Sequence, residues 1–173
     1  RVPPGVSGEP VVVTGAGTSA YAAVAIAASW RRAQGIPTTD LLLDPTPFYE
    51  SDGLLISLAR SGDSPESIGV VEKVQRLFPA VEHLAITCNA NGKLANAAGV
   101  HAIVLDPRTN DRSLAMTSSF SNLVLAGLAL RHASRLSSDL PAISKRAQSG
   151  LTELDELART VAARPASRIA ILA

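Results

Sequence analysis

The 173-residue sequence predicts a three-layer α/β fold, in which a five-stranded parallel sheet carries helices on both faces. Short apolar runs alternate with helical stretches along most of the chain, the pattern of a parallel sheet. Hydrophobic residues make up 46% of the chain and aromatic residues only 3%, so the core must be aliphatic. The length suits one domain with a substantial core.

The strands are expected at short apolar runs bounded by turn residues. Val11 starts a continuous β-branched run, which is typical of a strand buried on both faces. The later runs are rich in Leu and Ile, and Pro45 and Pro47 end the second of them. The predicted strands cover residues 11–13, 40–43, 54–58, 83–87 and 101–105.

The helices are expected between and after these strands. The first is Ala-rich, places Tyr21 and Val24 on one face, and stops at Gly35. The second opens with Ser64-Pro65-Glu66, which supplies a cap, a proline suited to the first position, and an acid at the positive end of the dipole. Its buried stripe is expected to comprise Ile68, Val71, Val74 and Leu77. The predicted helices cover residues 21–34, 64–77, 92–98, 118–136 and 140–164.

The charge and residue usage exclude several classes of function. A net charge of +1 with scattered basic residues argues against nucleic acid or an anionic membrane as the main partner. A single cysteine, Cys88, favours a reducing compartment, and a cytoplasmic location is expected. The most apolar helical stretch, 21–30, is shorter than the about 20 residues of a membrane span. His83, His101 and His132 are too dispersed for zinc, and we expect no metal and no cofactor.

The two ends of the chain predict a larger protein. Residues 1–9 are rich in Pro and Gly and are expected to form a linker, before a domain at 10–136. Residues 137–165 are expected to form a helix that leads to a second domain, and 166–173 to be the first strand of that missing domain. This helix either packs against the missing half or a partner subunit, or forms the last layer of the same core.

Two small polar loops follow the first and third predicted strands, where an open parallel sheet binds ligands. In the first loop, Gly17 lets the backbone approach a ligand while Thr18 and Ser19 add hydroxyl groups at a helix N-terminus. Gly62 has the same role in the second loop. The hydroxyls of that loop come from Ser61 and Ser64. Adjacent central strands would bring both loops together around a phosphate monoester.

Other mononucleotide and dinucleotide sites remain alternatives. Gly15-x-Gly-x-x-Ala20 matches a permissive dinucleotide fingerprint, and Asp40 or Asp44 lies where a ribose-binding acid is expected. This interpretation leaves the loop after the third strand unexplained. A flavin is a further option, but the sequence offers few aromatic residues to stack against it.

A third polar stretch, Thr109-Asn-Asp-Arg-Ser-Leu-Ala-Met-Thr-Ser-Ser-Phe120, runs from the fifth strand into a helix. Its hydroxyl groups suit a polyhydroxylated ligand, which needs many neutral donors and acceptors. Arg112 either meets a phosphate or pairs with Asp111.

These three motifs together resemble the sugar isomerase (SIS) domain. The second and third motifs are similar to its AgaS-type branch of tagatose-6-phosphate ketose/aldose isomerases and galactosamine-6-phosphate deaminases. The resemblance implies a flavodoxin-like domain that holds the phosphate of a hexose or amino-hexose 6-phosphate. On the family pattern, Ser19, Ser61 and Ser64 are phosphate-loop positions, and Thr117 and Ser118 lie near the sugar hydroxyls.

One position departs from the related glucosamine-6-phosphate synthase pattern, Ser-Gln-Ser-Gly. Ala59 and Arg60 replace its first Ser and its Gln, so Arg60 either compensates with charge in the phosphate site or points elsewhere. The resemblance also implies a homodimer or higher oligomer.

Catalytic groups are harder to assign. Members of this family carry two such domains, and their acid/base Glu, Lys and His come largely from the second domain or a neighbouring subunit. Glu66 is the best local candidate for the base, although a first-turn Glu also stabilises the helix dipole. We expect the N-terminal half of a phosphosugar isomerase or deaminase. A non-catalytic phosphosugar sensor and a dinucleotide-binding domain remain alternatives.

Overall fold

A computed structural model describes residues 10–113, 115–165 and 168 of the chain. The predicted linker at 1–9 lies outside the described residues, as does the predicted strand at 166–173 apart from Arg168. The chain divides into two compact units between Arg131 and His132.

The first unit contains a five-stranded sheet in the order β2-β1-β3-β4-β5, in which every neighbouring pair is parallel. The strands are β1 Val11–Gly15, β2 Ala33–Pro37, β3 Asp52–Ala59, β4 Ala80–Thr87 and β5 Val100–Val104. The helices are α1 Thr18–Ala27, α2 Thr38–Leu43, α3 Pro65–Leu77 and α4 Ser118–Ala162. The predicted parallel α/β architecture is confirmed.

The pairing register determines where ligands can bind. Gly15 at the end of β1 lies opposite Leu58 near the end of β3. The two central strands therefore end at the same edge of the sheet, and the loops that follow them start side by side.

The core lies on both faces of the sheet, because successive strand residues point to opposite sides. Val13 and Ile56 pack on one face with Ile26 of α1 and Leu123 of α4, and all four are fully buried. The opposite face is covered by α2 and α3, which contribute Leu41, Val70 and Val74. Both layers are mainly aliphatic, as the composition predicts, with Trp30 buried in the first and Tyr49 in the second.

The second strand was predicted wrongly. Residues 40–43 belong to α2, and β2 lies earlier, at Ala33–Pro37. This strand is at the edge of the sheet and only partly buried, so it lacks the apolar run that marks a central strand. The Leu-rich run is helical and buries Leu41, while Leu43 is 81% exposed.

The helices differ from prediction in extent and in their buried faces. The α1 helix is shorter than expected, and Tyr21 and Val24 lie on its exposed face, because the small residues Ala22 and Ala23 pack against the sheet. In α3, Val70 is buried whereas Leu77 is 45% exposed. The predicted helix at 92–98 is only a 3-10 turn at Leu94–Asn96.

The range labelled α4 comprises two helices that meet at His132, where the backbone angles are not helical, so the two predicted C-terminal helices are present but their boundary lies earlier than the predicted 136–140. Pro141 stands inside the helix beyond that point. This part of the helix, in the second unit, carries exposed apolar side chains at Leu140, Ile143, Leu151, Leu154, Leu157 and Val161. None of the described helices is long and apolar enough to cross a membrane.

Candidate phosphosugar site

A cavity of about 290 Å³ opens where β1 and β3 end. The loops after these two strands supply most of its lining, and Ser67 and Met116 complete it. Seven residues predicted for the site line this cavity, namely Gly17, Thr18, Ser19, Arg60, Ser61, Gly62 and Ser64. Three do not line it: Glu66, Thr117 and Ser118.

The loop after β1 delivers the N-terminus of α1 to the cavity. Gly17 adopts a left-handed conformation, with φ of 55°, that allows the chain to turn sharply from strand into helix. No side chain caps this helix and no acidic residue lies in its first turn. The N–H groups of Ser19 and Ala20 donate to the carbonyls of Ala16 and Gly17, at 3.1 and 3.0 Å. The positive end of the helix dipole carries no compensating charge from its own first turn and therefore favours an anion.

The loop after β3 is held firmly by the loop after β4. The carbonyl of Ser61 accepts from Asn89 Nδ2 at 2.9 Å, and the carbonyl of Gly62 accepts from the Leu94 N–H at 2.8 Å. The Asp63 carboxylate accepts from the Lys93 N–H at 3.0 Å. Gly62 itself has φ of 70°. These bonds fix the turn before any ligand arrives.

The start of α3 forms the third wall. Ser64 caps the helix, as predicted, by accepting from the Ser67 N–H at 3.4 Å, and the two hydroxyls lie 2.7 Å apart. Pro65 occupies the first turn. Glu66 is exposed in that turn, where its charge stabilises the positive end of the helix dipole.

Charge in the cavity comes from one cation. Arg60 lines it, and no Asp, Glu or His is among the described lining residues. Arg60 Nη1 donates to the carbonyl of Ser113, beyond β5. Its own carbonyl accepts from the Cys88 N–H and from Thr87 Oγ1, both at 3.2 Å. The residue thus bridges the β3 loop, the end of β4 and the chain after β5.

The segment between β5 and α4 is organised by Asp111. Its carboxylate accepts from the N–H groups of Thr117 and Ser119, and also from both of their hydroxyls. The hydroxyl and N–H of Ser119, followed by the bonds from Thr117, hold the pKa of the Asp111 carboxyl well below its usual range. Within the described residues Arg112 makes no ion pair with Asp111.

Met116 is one of the cavity residues that the sequence analysis did not select for the site. Its sulfur accepts from Ser19 Oγ at 3.9 Å, which links the third polar stretch to the loop after β1. The stretch was selected for its hydroxyl groups, and this drew attention away from the thioether within it. The chain contains one methionine, and its place among small polar residues was the available signal.

Relatives of the chain carry names that fit a phosphosugar site, although no protein-family model matches it. Over 129 residues the chain is 43% identical to the AgaS protein of Streptomyces coelicolor, covering 68% of this chain and 34% of that protein. Over 164 residues it is 35% identical to D-galactosamine-6-phosphate deaminase AgaS of Escherichia coli O157:H7, covering 87% of this chain and 42% of that protein.

The chain also resembles solved structures of phosphosugar enzymes. Tagatose-6-phosphate ketose/aldose isomerase from Escherichia coli matches with a TM-score of 0.76 at 34% identity, over 84% of this chain and 43% of that one. Glucosamine-6-phosphate deaminase from Thermotoga maritima, only 22% identical, shares the fold with a TM-score of 0.64, over 72% of this chain and 39% of that one. The chain spans less than half the length of each relative described here.

The three-layer fold and these likenesses define a sugar isomerase (SIS) domain. The sheet order and the sequence identities agree on this class. Within it, the chain belongs to the AgaS-type family, so the resemblance read from its three motifs is confirmed.

Proposed function

We propose that this chain binds the phosphate of a hexose or amino-hexose 6-phosphate, as the N-terminal half of a ketose/aldose isomerase or an amino-sugar-phosphate deaminase. The observation that carries the proposal is the convergence of two hydroxyl-rich loops on one cavity. The relatives' names supply the substrate class.

A phosphate dianion suits this cavity because the donors are neutral, numerous and fixed. Hydroxyl groups of Thr18, Ser61 and Ser64 line it beside the uncapped N-terminus of α1. Bonds to Asn89 and Leu94 hold the second loop in place, so little conformational entropy is lost on binding. Hydrogen bonds to a charged ligand contribute more than neutral ones.

The chemistry itself needs groups beyond this cavity. Moving a proton between adjacent carbons requires a general base. No carboxylate or imidazole lines the cavity among the described residues, and Glu66 is exposed on α3. Our proposal therefore assigns the acid/base groups to a second domain or a neighbouring subunit, in a cytoplasmic homodimer or larger assembly that residues 137–165 would help to connect.

The alternatives predict different ligands or different turnover. A dinucleotide site needs an acid after β2, but Asp40 lies within α2 and the Asp44 carboxylate accepts from the N–H and hydroxyl of Thr46. A non-catalytic sensor would bind the same sugar phosphate as the enzyme. Only an assay of the longer protein separates these two functions.

Thermal unfolding with a ligand panel tests the proposal. We expect D-galactosamine 6-phosphate and D-tagatose 6-phosphate to raise Tm, because a ligand that binds only the folded state stabilises it. Unphosphorylated galactosamine and NAD should leave Tm unchanged. A rise with NAD, or an equal rise with the unphosphorylated sugar, would overturn the proposal.

A further inference from the structure

The chain between β5 and α4 contacts the phosphate-loop side of the cavity at two points. The carbonyl of Ser113 accepts from Arg60, and Met116 accepts from Ser19 Oγ. Arg60 and Ser19 belong to different loops of the cavity, and both line it. The segment therefore meets both walls of the proposed site.

Asp111 fixes the far end of this segment to the start of α4. Its carboxylate accepts three backbone N–H groups, from Thr117 at 3.0 Å, Ser118 at 3.1 Å and Ser119 at 2.9 Å. It also accepts from the Thr117 hydroxyl at 3.0 Å and from the Ser119 hydroxyl. Met116 immediately precedes these three residues, so the same bonds determine where its side chain starts.

The two helix N-termini near the site differ in a way that assigns their roles. At α4 the first-turn N–H groups are already satisfied by a carboxylate of the chain itself. At α1 the Ser19 and Ala20 N–H groups donate only to the carbonyls of Ala16 and Gly17, and no acidic residue of the first turn offsets the positive end of the dipole. An incoming phosphate therefore goes to α1 and the β3 loop, and the segment before α4 faces the rest of the ligand.

We propose that Asp111 is a positioning residue, which holds Met116 as the sugar-side wall of the cavity, with Arg60 as the second anchor of the same segment. This inference rests on the proposed function. It assigns Arg60 to the placement of the segment through the Ser113 carbonyl, and assigns the phosphate to the loops around Gly17 and Gly62.

Two unreactive probes separate the sugar side from the phosphate side. Galactitol 6-phosphate keeps the phosphate and the hydroxyl groups but has no carbonyl or amine to react, and inorganic phosphate reports the loops alone. Both are titrated by calorimetry into the unaltered chain, Asp111→Ala and Asp106→Ala. Asp106 is the matched control, because its carboxylate, in the same stretch of chain, is bonded to Arg108 away from the cavity.

We expect Asp111→Ala to weaken the binding of galactitol 6-phosphate about tenfold, which is the effect of losing one hydrogen bond or contact. The affinity of Asp111→Ala for inorganic phosphate should change less than about twofold. Asp106→Ala should bind both probes with the affinity of the unaltered chain. Equal losses for the two probes, or no loss for either, would overturn the positioning role. If the unaltered chain binds galactitol 6-phosphate no better than phosphate, the proposed function itself fails instead.

A double-mutant cycle tests the second anchor. If Arg60 acts through the segment, Arg60→Met weakens the binding of galactitol 6-phosphate but not that of inorganic phosphate. The double variant with Asp111→Ala then loses no more binding free energy than the more damaging single variant. Additive losses together with weaker phosphate binding would make Arg60 a phosphate ligand instead. Should Asp111→Ala fail to fold, Asp111→Asn replaces it, since one acceptor oxygen remains and an intermediate loss is expected.

Discussion

The side chain and the backbone of Ser61 make different contacts, apart from a long bond of 3.4 Å that its hydroxyl accepts from the Asp63 N–H. Its hydroxyl lines the cavity, while its carbonyl, not its side chain, accepts the bond from Asn89. Ser61→Ala is therefore expected to keep the loop intact and to weaken hexose 6-phosphate binding by about 1–3 kcal/mol, the usual loss for a hydrogen bond to a charged group. Calorimetry measures it, with exposed Ser51→Ala as the control. Unchanged affinity would remove Ser61 from the site.

The buried side chain of His83 should make the free energy of unfolding depend on pH. Its side chain is 4% exposed, neither ring nitrogen has a hydrogen-bond partner among the described residues, and burial lowers its pKa to about 4. The unfolded chain, with an ordinary pKa of about 6.5, binds the proton more readily between these two values. Stability is therefore full above about pH 6.5 and falls as pH drops towards 4, by up to about 1.4 kcal/mol per pH unit.

The matched histidine variants test this dependence by urea unfolding across that pH range. His83→Leu should flatten the slope, because the group that gains a proton on unfolding is gone. His101→Leu, at an exposed position on β5, should leave the slope unchanged. A slope that persists in His83→Leu would assign the acid sensitivity to other groups.

At the scale of elements, the loop after β4 supports the loop after β3 through close backbone contact. A Cβ added at Gly92 would collide with the carbonyl oxygen of Ser61. Gly92→Ala is expected to displace the loop, cost about 1–3 kcal/mol of stability and weaken phosphate binding. Denaturant unfolding and calorimetry check both effects.

The control for this variant is another Gly→Ala change. A Cβ at Gly150, inside α4, would meet nothing within 4 Å, so alanine there should stabilise the helix by about 0.5–1 kcal/mol. If Gly92→Ala behaves as Gly150→Ala does, the loop after β4 does not constrain the phosphate loop.

The sequence predicted four of the five strands and missed the edge strand β2. Continuous apolar runs identified β1, β3 and β4 because these strands are buried on both faces. The edge strand β2 contains Gly35 and Pro37 and carries no such run, so the Leu-rich α2 was taken for it. Periodicity also placed the boundary between the two C-terminal helices at 136–140, because nothing in the local pattern marks His132 as the residue where the backbone leaves the helical conformation.

Local sequence patterns also predicted one part of the candidate site and missed another. Glycine and hydroxyl residues after a strand predict a ligand loop from local sequence, and the six residues chosen in this way do line one cavity. The roles of Arg60 and Met116 depend on contacts with residues 53 and 97 positions away in the chain. No local pattern carries such information, because it arises only when the sheet order brings the loops together.

For the whole molecule, the composition of the cavity predicts binding without turnover. Its described lining has no general base, so this chain alone should bind galactosamine 6-phosphate and release no detectable ammonia. A coupled ammonia assay, with a longer protein of the family as the positive control, measures this. Turnover by the chain alone that Glu66→Gln abolishes would instead make Glu66 the base, and the proposed division of labour would fail.

The anchors of the segment before α4 have one further consequence. Asp111 accepts from main-chain N–H groups and Arg60 donates to a main-chain carbonyl, so the bonds to Ser118 and Ser113 do not depend on the side chains at those positions. Substitutions that change only these two side chains should therefore leave the segment attached, so the placement of Met116 tolerates sequence change at both positions.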